Sequence, residues 1–233
     1  MTRLEPLMIR AIIFDLDGTL VDTEPLHFAA FAELLGEEGI ELSREEYVSR
    51  LIGYTDHDCF EVVMKEHARP ADAAIIARLT ARKTALYQRL INDRDLLYPG
   101  AAEFVRRCAK RFPLVLATGT LRHEAELILN HAGLRKLFLS IVAAEDVENG
   151  KPAPDSFLAA LGHLARQTHP PVKREECLVI EDTNAGIEAA RRAGMKVLAV
   201  AHSALPLELS AADLVRESLA ETDLDDVLLQ ISG

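Results

Sequence analysis

A chain of 233 residues, 49% apolar, has enough interior for one large domain or for a core with a smaller accessory domain, and it is too apolar to stay disordered. Its formal net charge of −11 argues against broad electrostatic attraction to nucleic acid or to an anionic membrane, so any recognition of phosphate must be local. Cys59, Cys108 and Cys177 are odd in number, widely spaced and without metal-ligand spacing, which argues against a disulfide framework and for reduced thiols in a cytoplasmic setting.

The first ten residues interleave Arg3, Glu5 and Arg10 with apolar residues, so no apolar leader is expected, and no segment has membrane-spanning length. The run Ala11-Ile12-Ile13-Phe14 then reads as a strand buried on both faces. From 23 to 94 the pattern is helix-like with no convincing buried strand, which predicts an inserted helical domain. Its amphipathic stretches are 26–35, 44–51, 58–67 and 72–90, broken near Gly36, Gly53 and Pro70. Flexible connections are expected at 22–25 and 93–99, and Tyr98-Pro99-Gly100 marks the return.

Further runs at 114–117, 139–142, 178–180 and 197–200 read as strands buried on both faces, most of them separated by helical patterns. Two of those helices, 124–131 and 185–193, have glycine stops at Gly133 and Gly194. There is no internal repeat, and 168–171, with His169, reads as a surface loop. The alternation predicts an α/β fold with a doubly wound parallel sheet, its core formed by 1–22 and 95–233 and its helical insert by 23–94.

Chemistry concentrates where the strands are predicted to end. Asp15 and Asp17 stand two residues apart after the first strand, a spacing that sends both carboxylates to one side of an extended segment, and Gly18 turns the chain at once. Taken alone this is an acidic turn; a bound cation would explain how two like charges are accommodated at the end of a strand where open α/β sheets place ligands. The second strand ends in Thr118-Gly119-Thr120, whose hydroxyl and flexible amides could hold phosphoryl oxygens or simply form a turn. Lys151, in Gly150-Lys151-Pro152-Ala153-Pro154-Asp155, is a point cation on a backbone restricted by prolines, and otherwise an ordinary surface lysine. The fourth strand ends in Glu181-Asp182 before a helix, offering oxygen ligands for a hard cation or a helix cap.

These motifs in this order resemble the haloacid dehalogenase superfamily of phosphotransferases over nearly the whole chain, and the helical insert resembles the subgroup with a small helical cap, of the β-phosphoglucomutase and phosphoglycolate phosphatase type. The resemblance implies a Mg2+-dependent phosphatase acting on a small phosphorylated metabolite. Asp15 would be the nucleophile that becomes an aspartyl-phosphate, and Asp17 the acid and base. Asp15, the Asp17 carbonyl and Asp182 would hold the ion, with Glu181 a ligand or the partner of a metal-bound water. Thr118, the Gly119 amide and Lys151 would bind phosphoryl oxygens. The cap would close over the core and carry specificity.

The resemblance also places Thr23 and His27 at linker positions and Lys83 at a cap lysine, with His27 open between a substrate-side role and a satisfied helix histidine. Where a mutase of this subgroup carries an arginine for a second phosphate, the chain has Asp56, followed by His57 and Asp58 as further specificity candidates. A carboxylate there repels a bisphosphate and favours hydrolysis. A phosphosugar mutase remains the enzyme alternative, and a phosphate-binding or receiver-like signalling module the non-enzyme one. Substrate and oligomeric state are not encoded in these motifs.

Overall fold

Ala11, Ile12, Ile13 and Phe14 are all fully buried in the first strand, β1 (Ala11–Phe14), because parallel strands lie on each side of it and helices cover both faces. The computed structural model describes residues 8–52, 54–92 and 96–232. The break expected at Gly53 and residues 93–95 of the connection expected at 93–99 lie outside the described residues, as do residues 1–7 and 233. The chain divides into two compact units, Met1–Asp22 with Asp95–Gly233, and Thr23–Arg94.

In the second unit, α1 (Glu24–Glu37), a short α2 (Arg44–Glu46) running into a π-helical turn (Tyr47–Leu51), α3 (Asp56–Glu66) and α4 (Ala73–Asn92) enclose an apolar interior that includes Phe31, Leu34, Phe60, Val63, Leu79 and Leu86. Ser43 and Thr55 cap the second and third of these helices, each hydroxyl accepting an amide of the first turn. The buried stripe of α4 runs Ile76, Leu79, Lys83, Leu86 and Tyr87, so a lysine occupies a core position on an otherwise apolar face.

In the first unit, β1 is followed by α5 (Ala101–Ala109), β2 (Leu114–Ala117), α6 (Arg122–His131), β3 (Phe138–Val142), α7 (Asp155–Gln167), β4 (Cys177–Glu181), α8 (Asn184–Arg192), β5 (Lys196–Val200), β6 (Leu214–Arg216) and α9 (Leu224–Ser232). All strands are parallel, in the order β3-β2-β1-β4-β5-β6. Side chains alternate across the sheet. Ile13, Val115 and Val179 join Phe157 of α7 and Ile187 of α8 on one face. Phe14 turns to the other, edge-on to Phe104 of α5 at 6.3 Å and to Phe138 at 5.9 Å between ring centroids. After α6 and α8 the chain turns left-handed at Gly133 and Gly194, the expected stops.

Two expectations are corrected. The run at 139–142 is not buried on both faces, since Leu139 is 51% exposed. β3 is an edge strand whose register against β2 slips between Leu114 and Val115, which turns Leu139 outward. The other edge strand, β6, was not expected at all, because three half-buried residues, Leu214, Val215 and Arg216, carry no apolar run.

Strand order reverses at β1, between β2 and β4. An open parallel sheet forms its ligand crevice outside the carboxyl ends of the strands at such a switch point. Asp15, Thr118 and Glu181-Asp182 stand at the ends of those three strands.

Candidate active site

The β1 ladder runs one residue beyond the strand, with the Asp15 amide donating to the Ile180 carbonyl at 3.0 Å, so the Asp15 side chain is fixed by sheet geometry and buried. The next four residues fold back, with the Gly18 amide bonded to the Val21 carbonyl at 2.8 Å. Gly18 has φ +78°, and a Cβ there would collide with the Asp182 carboxylate, so glycine is required both for the turn and for the close approach.

Lys151, just before α7, joins β1 to β4: its Nζ donates to Asp15 Oδ1 at 2.5 Å and to Glu181 Oε1 at 2.7 Å. Glu181 is buried and saturated with donors. Its Oε2 accepts the Asp182 amide, the Thr183 amide and the Thr183 hydroxyl at 2.8, 2.8 and 2.9 Å. The Thr183 hydroxyl also caps α8 by accepting the Gly186 amide at 3.1 Å, and a Cβ on Gly186 would fall on the Glu181 carboxylate. Each Glu181 oxygen is thus engaged in holding Lys151 or the β4–α8 turn. Asp182 Oδ1 accepts the Thr19 hydroxyl at 2.9 Å, and the Ser203 hydroxyl also donates to this carboxylate.

Asp17 lies half-exposed beside the end of β2. Its Oδ2 accepts the Thr120 hydroxyl in a short bond and the Thr118 hydroxyl at 3.4 Å, while Thr118 Oγ1 accepts the Thr120 amide at 3.0 Å. Space beside Gly119 is open, with nothing within 4 Å of where a Cβ would stand.

Asp15 and Glu181 share the Lys151 ammonium, with the Asp17 and Asp182 carboxyl groups close by. Burial, reinforced by the Glu181, Asp182 and Asp17 charges against the opposing pull of Lys151, holds the Asp15 carboxyl well above its ordinary range. Burial and the Glu181 charge push Asp182 up to about 6. Burial opposes the charge of Lys151, but Asp15 and Glu181 hold its ammonium above the usual lysine value. A hard dication would relieve this excess of negative charge, and carboxylate and carbonyl oxygens are the donors it takes, so the residues present fit Mg2+.

Of the sequence candidates in the helical unit, three converge. Lys83 Nζ lies 2.6 Å from His27 Nδ1 and 2.7 Å from Asp56 Oδ1, over the rings of Phe31 and Tyr87. Thr23 is buried at the start of α1, where its carbonyl accepts the Leu26 and His27 amides. His57 and Asp58 are not part of this cluster: they are exposed at the first turn of α3 and pair with each other at 3.3 Å, with Glu61 nearby. Burial, reinforced by the Lys83 charge, lowers the His27 pKa to about 3.

Because its unfolded value is near 6.5, His27 takes up a proton on unfolding between those two pH values, and stability is lost as pH falls through that window. At pH 5 the loss relative to pH 8 is about 2 kcal/mol. The raised Asp15 and Asp182 carboxyls take up protons in the folded chain and act in the opposite direction, so the His27 part is read as a difference: between pH 8 and pH 5, urea titrations should give the native chain a change about 2 kcal/mol less favourable than that of His27→Gln. An identical pH response in both would contradict the buried neutral imidazole.

Four contributors escaped the sequence. Thr120 was read only as part of a turn, although its hydroxyl holds Asp17. Ser203 reaches Asp182, and its neighbour His202 places Nδ1 3.0 Å from the Gly18 carbonyl, both from the turn after β5 where no local motif marks them. Thr183, the residue after the acidic pair, was assigned no part, although its hydroxyl holds Glu181 and caps α8.

Comparison with known proteins identifies the family. A profile of the haloacid dehalogenase-like hydrolases matches residues 9–194. The chain is 33% identical to the fructose-1-phosphate phosphatase YqaB of Escherichia coli over 189 residues, covering 81% of this chain and 95% of the relative. It is 33% identical to a phosphorylated carbohydrates phosphatase of Thermotoga maritima over 230 residues, covering 94% and 100%. Among solved structures, the β-phosphoglucomutase of Clostridium difficile superposes with a TM-score of 0.76 at 25% identity, over 96% of this chain and 97% of that one. The chain is therefore a member of the haloacid dehalogenase-like hydrolase family.

Proposed function

We propose that this hydrolase is a Mg2+-dependent phosphatase of small phosphorylated metabolites, sugar phosphates first, working through an aspartyl-phosphate on Asp15. The observation that carries the reading is Lys151, which bridges Asp15 and Glu181 beside Asp17 and Asp182 at the switch point of the sheet. The names of the relatives support the substrate class.

The Asp15 carboxylate, the Asp17 carbonyl and Asp182 would hold Mg2+, which when bound offsets negative charge so that one anion can approach another. Glu181 is assigned to anchoring Lys151. An Asp15 carboxylate oxygen attacks phosphorus and the bond to the leaving oxygen breaks, while Asp17 in its acid form passes a proton to that oxygen. Water then attacks the phosphorus of the aspartyl-phosphate, Asp17 takes its proton, and the bond to Asp15 breaks, releasing inorganic phosphate. Lys151, the Thr118 hydroxyl and the Gly119 amide stabilise the phosphoryl oxygens as charge builds.

Substrate selection is assigned to the His27–Lys83–Asp56 cluster. The Asp56 carboxylate already takes the Lys83 ammonium at 2.7 Å, so this cluster offers no net positive charge where a mutase of this subgroup is expected to bind a second phosphate. This supports hydrolysis over the mutase alternative. The three free cysteines, all buried, support a reducing, cytoplasmic setting, and no described helix is long and apolar enough to cross a membrane.

The test is phosphate release from a panel of sugar monophosphates and bisphosphates with Mg2+ and with chelator, ranked by kcat/KM. Monophosphates should be hydrolysed only with Mg2+. No release from any ester, or equal rates in chelator, would overturn the reading.

A further inference from the structure

The turn that follows β5 touches both acidic loops. His202 Nδ1 lies 3.0 Å from the Gly18 carbonyl oxygen, and its ring stacks on Tyr98 with centroids 3.9 Å apart and planes at 26°. A carbonyl only accepts, so the shared proton sits on Nδ1. The next residue, Ser203, donates its hydroxyl to Asp182, which also accepts the Thr19 hydroxyl at 2.9 Å.

Gly18 is consequently held at both ends. Its amide donates to the Val21 carbonyl at 2.8 Å, and because that peptide is planar this fixes the direction of the Asp17 carbonyl on its opposite side. Its own carbonyl, in the following peptide, is held by His202. With φ +78° and no side chain, Gly18 is the residue of this loop least restrained by its own sterics, so an external donor has most effect there.

We infer that His202 is a positioning residue for the cation site: its Nδ1–H fixes the Gly18–Thr19 peptide and thereby aims the Asp17 carbonyl on one side and, through Thr19, the Asp182 carboxylate on the other. This rests on the reading above that those oxygens hold Mg2+. His202 itself touches neither cation nor substrate. A partner that orients a ligand in this way changes metal affinity by about 10–100-fold when removed.

A rival role for the same ring is simple packing on Tyr98, whose amide donates to the Leu20 carbonyl at 3.0 Å and which therefore belongs to the same loop framework. Two substitutions separate the roles. His202→Asn places an N–H at the same bond distance from Cβ as Nδ1 but removes the ring, whereas His202→Phe keeps a ring and removes the donor.

Mg2+ binding to the wild-type chain, His202→Asn and His202→Phe is measured by calorimetry on protein shown to be folded by circular dichroism, with kcat and KM determined at limiting and saturating Mg2+. The expected result is that His202→Asn binds Mg2+ within about threefold of wild type and His202→Phe at least about tenfold more weakly. The kcat of His202→Phe should recover as Mg2+ is raised, with the KM for substrate little changed. His202→Phe binding as tightly as His202→Asn, or more tightly, overturns the positioning role even if the enzyme is fully active. A wild-type chain that binds no Mg2+ overturns the cation site itself, and this role with it.

Discussion

Asp15→Asn should release phosphate from any substrate at least about 10⁴-fold more slowly than the native chain, since the loss of a nucleophile that acts as a unit with its partners removes most of the rate enhancement. The amide has nearly the shape of the carboxylate but lacks the anionic oxygen that must bond to phosphorus. The fold should not suffer. Asp15 is buried and crowded by Glu181, Asp182 and Asp17, so its charged form is disfavoured in the metal-free chain, and neutralising it relieves repulsion. The expected pair of observations is therefore a collapsed kcat together with a Tm in chelator no lower than that of the native chain. Turnover within tenfold of native, in protein whose mass excludes deamidation back to aspartate, would contradict the assignment.

Lys151→Ala should lower kcat by about 10³-fold, because a preorganised charge aimed at the phosphoryl oxygens is removed. Unlike the change at Asp15, it should also lower stability. Lys151 is the shared partner of Asp15 at 2.5 Å and Glu181 at 2.7 Å, and deleting it leaves the buried Glu181 without its cation beside an Asp15 whose charged form is disfavoured. Breaking a buried ion pair from one side costs about 3–5 kcal/mol. Urea midpoints in chelator should fall accordingly, and Mg2+ should recover part of the loss by supplying positive charge nearby. Lys151→Arg should keep more stability than activity, because a planar guanidinium can pair with the carboxylates but cannot occupy the same point. Retained turnover in Lys151→Ala would remove the lysine from the mechanism.

The parts of the site that could be read from the sequence are those carried by short-range pattern. Asp15 and Asp17 are visible because a four-residue buried run ends immediately before them, and their separation in sequence sets their shared side. Glu181 closes the buried run of β4 and Asp182 follows it. Their roles are less visible. A sequence cannot show that Glu181 spends its oxygens on Lys151 and on the turn through Thr183, because those bonds depend on the register of β4 against β1 and on how closely α8 approaches at Gly186.

The helical unit is similar. Lys83 stands in an apolar stripe of α4, a local conflict that marks it as paired or functional, but only the fold shows that Asp56 and His27 are the partners. His57 and Asp58 follow Asp56 directly and were candidates beside it, yet the helical period turns them outward. His202 and Ser203 are the plainest omission: they reach residues more than 180 and 20 positions away respectively, from a turn with no composition to announce it. Edge strands failed for a related reason, since β6 and Leu139 of β3 lack the two covered faces that give a buried strand its apolar run.

The central claim is that phosphorus is bonded to Asp15 during turnover. The most direct measurement is a rapid-quench experiment with a labelled sugar monophosphate and Mg2+, followed by peptide mapping. Label should appear on Asp15 within the first turnover, decay at the rate at which free phosphate forms, and be absent in Asp15→Asn. Label on a different residue, or free phosphate formed at the full rate without passing through labelled protein, would contradict the account.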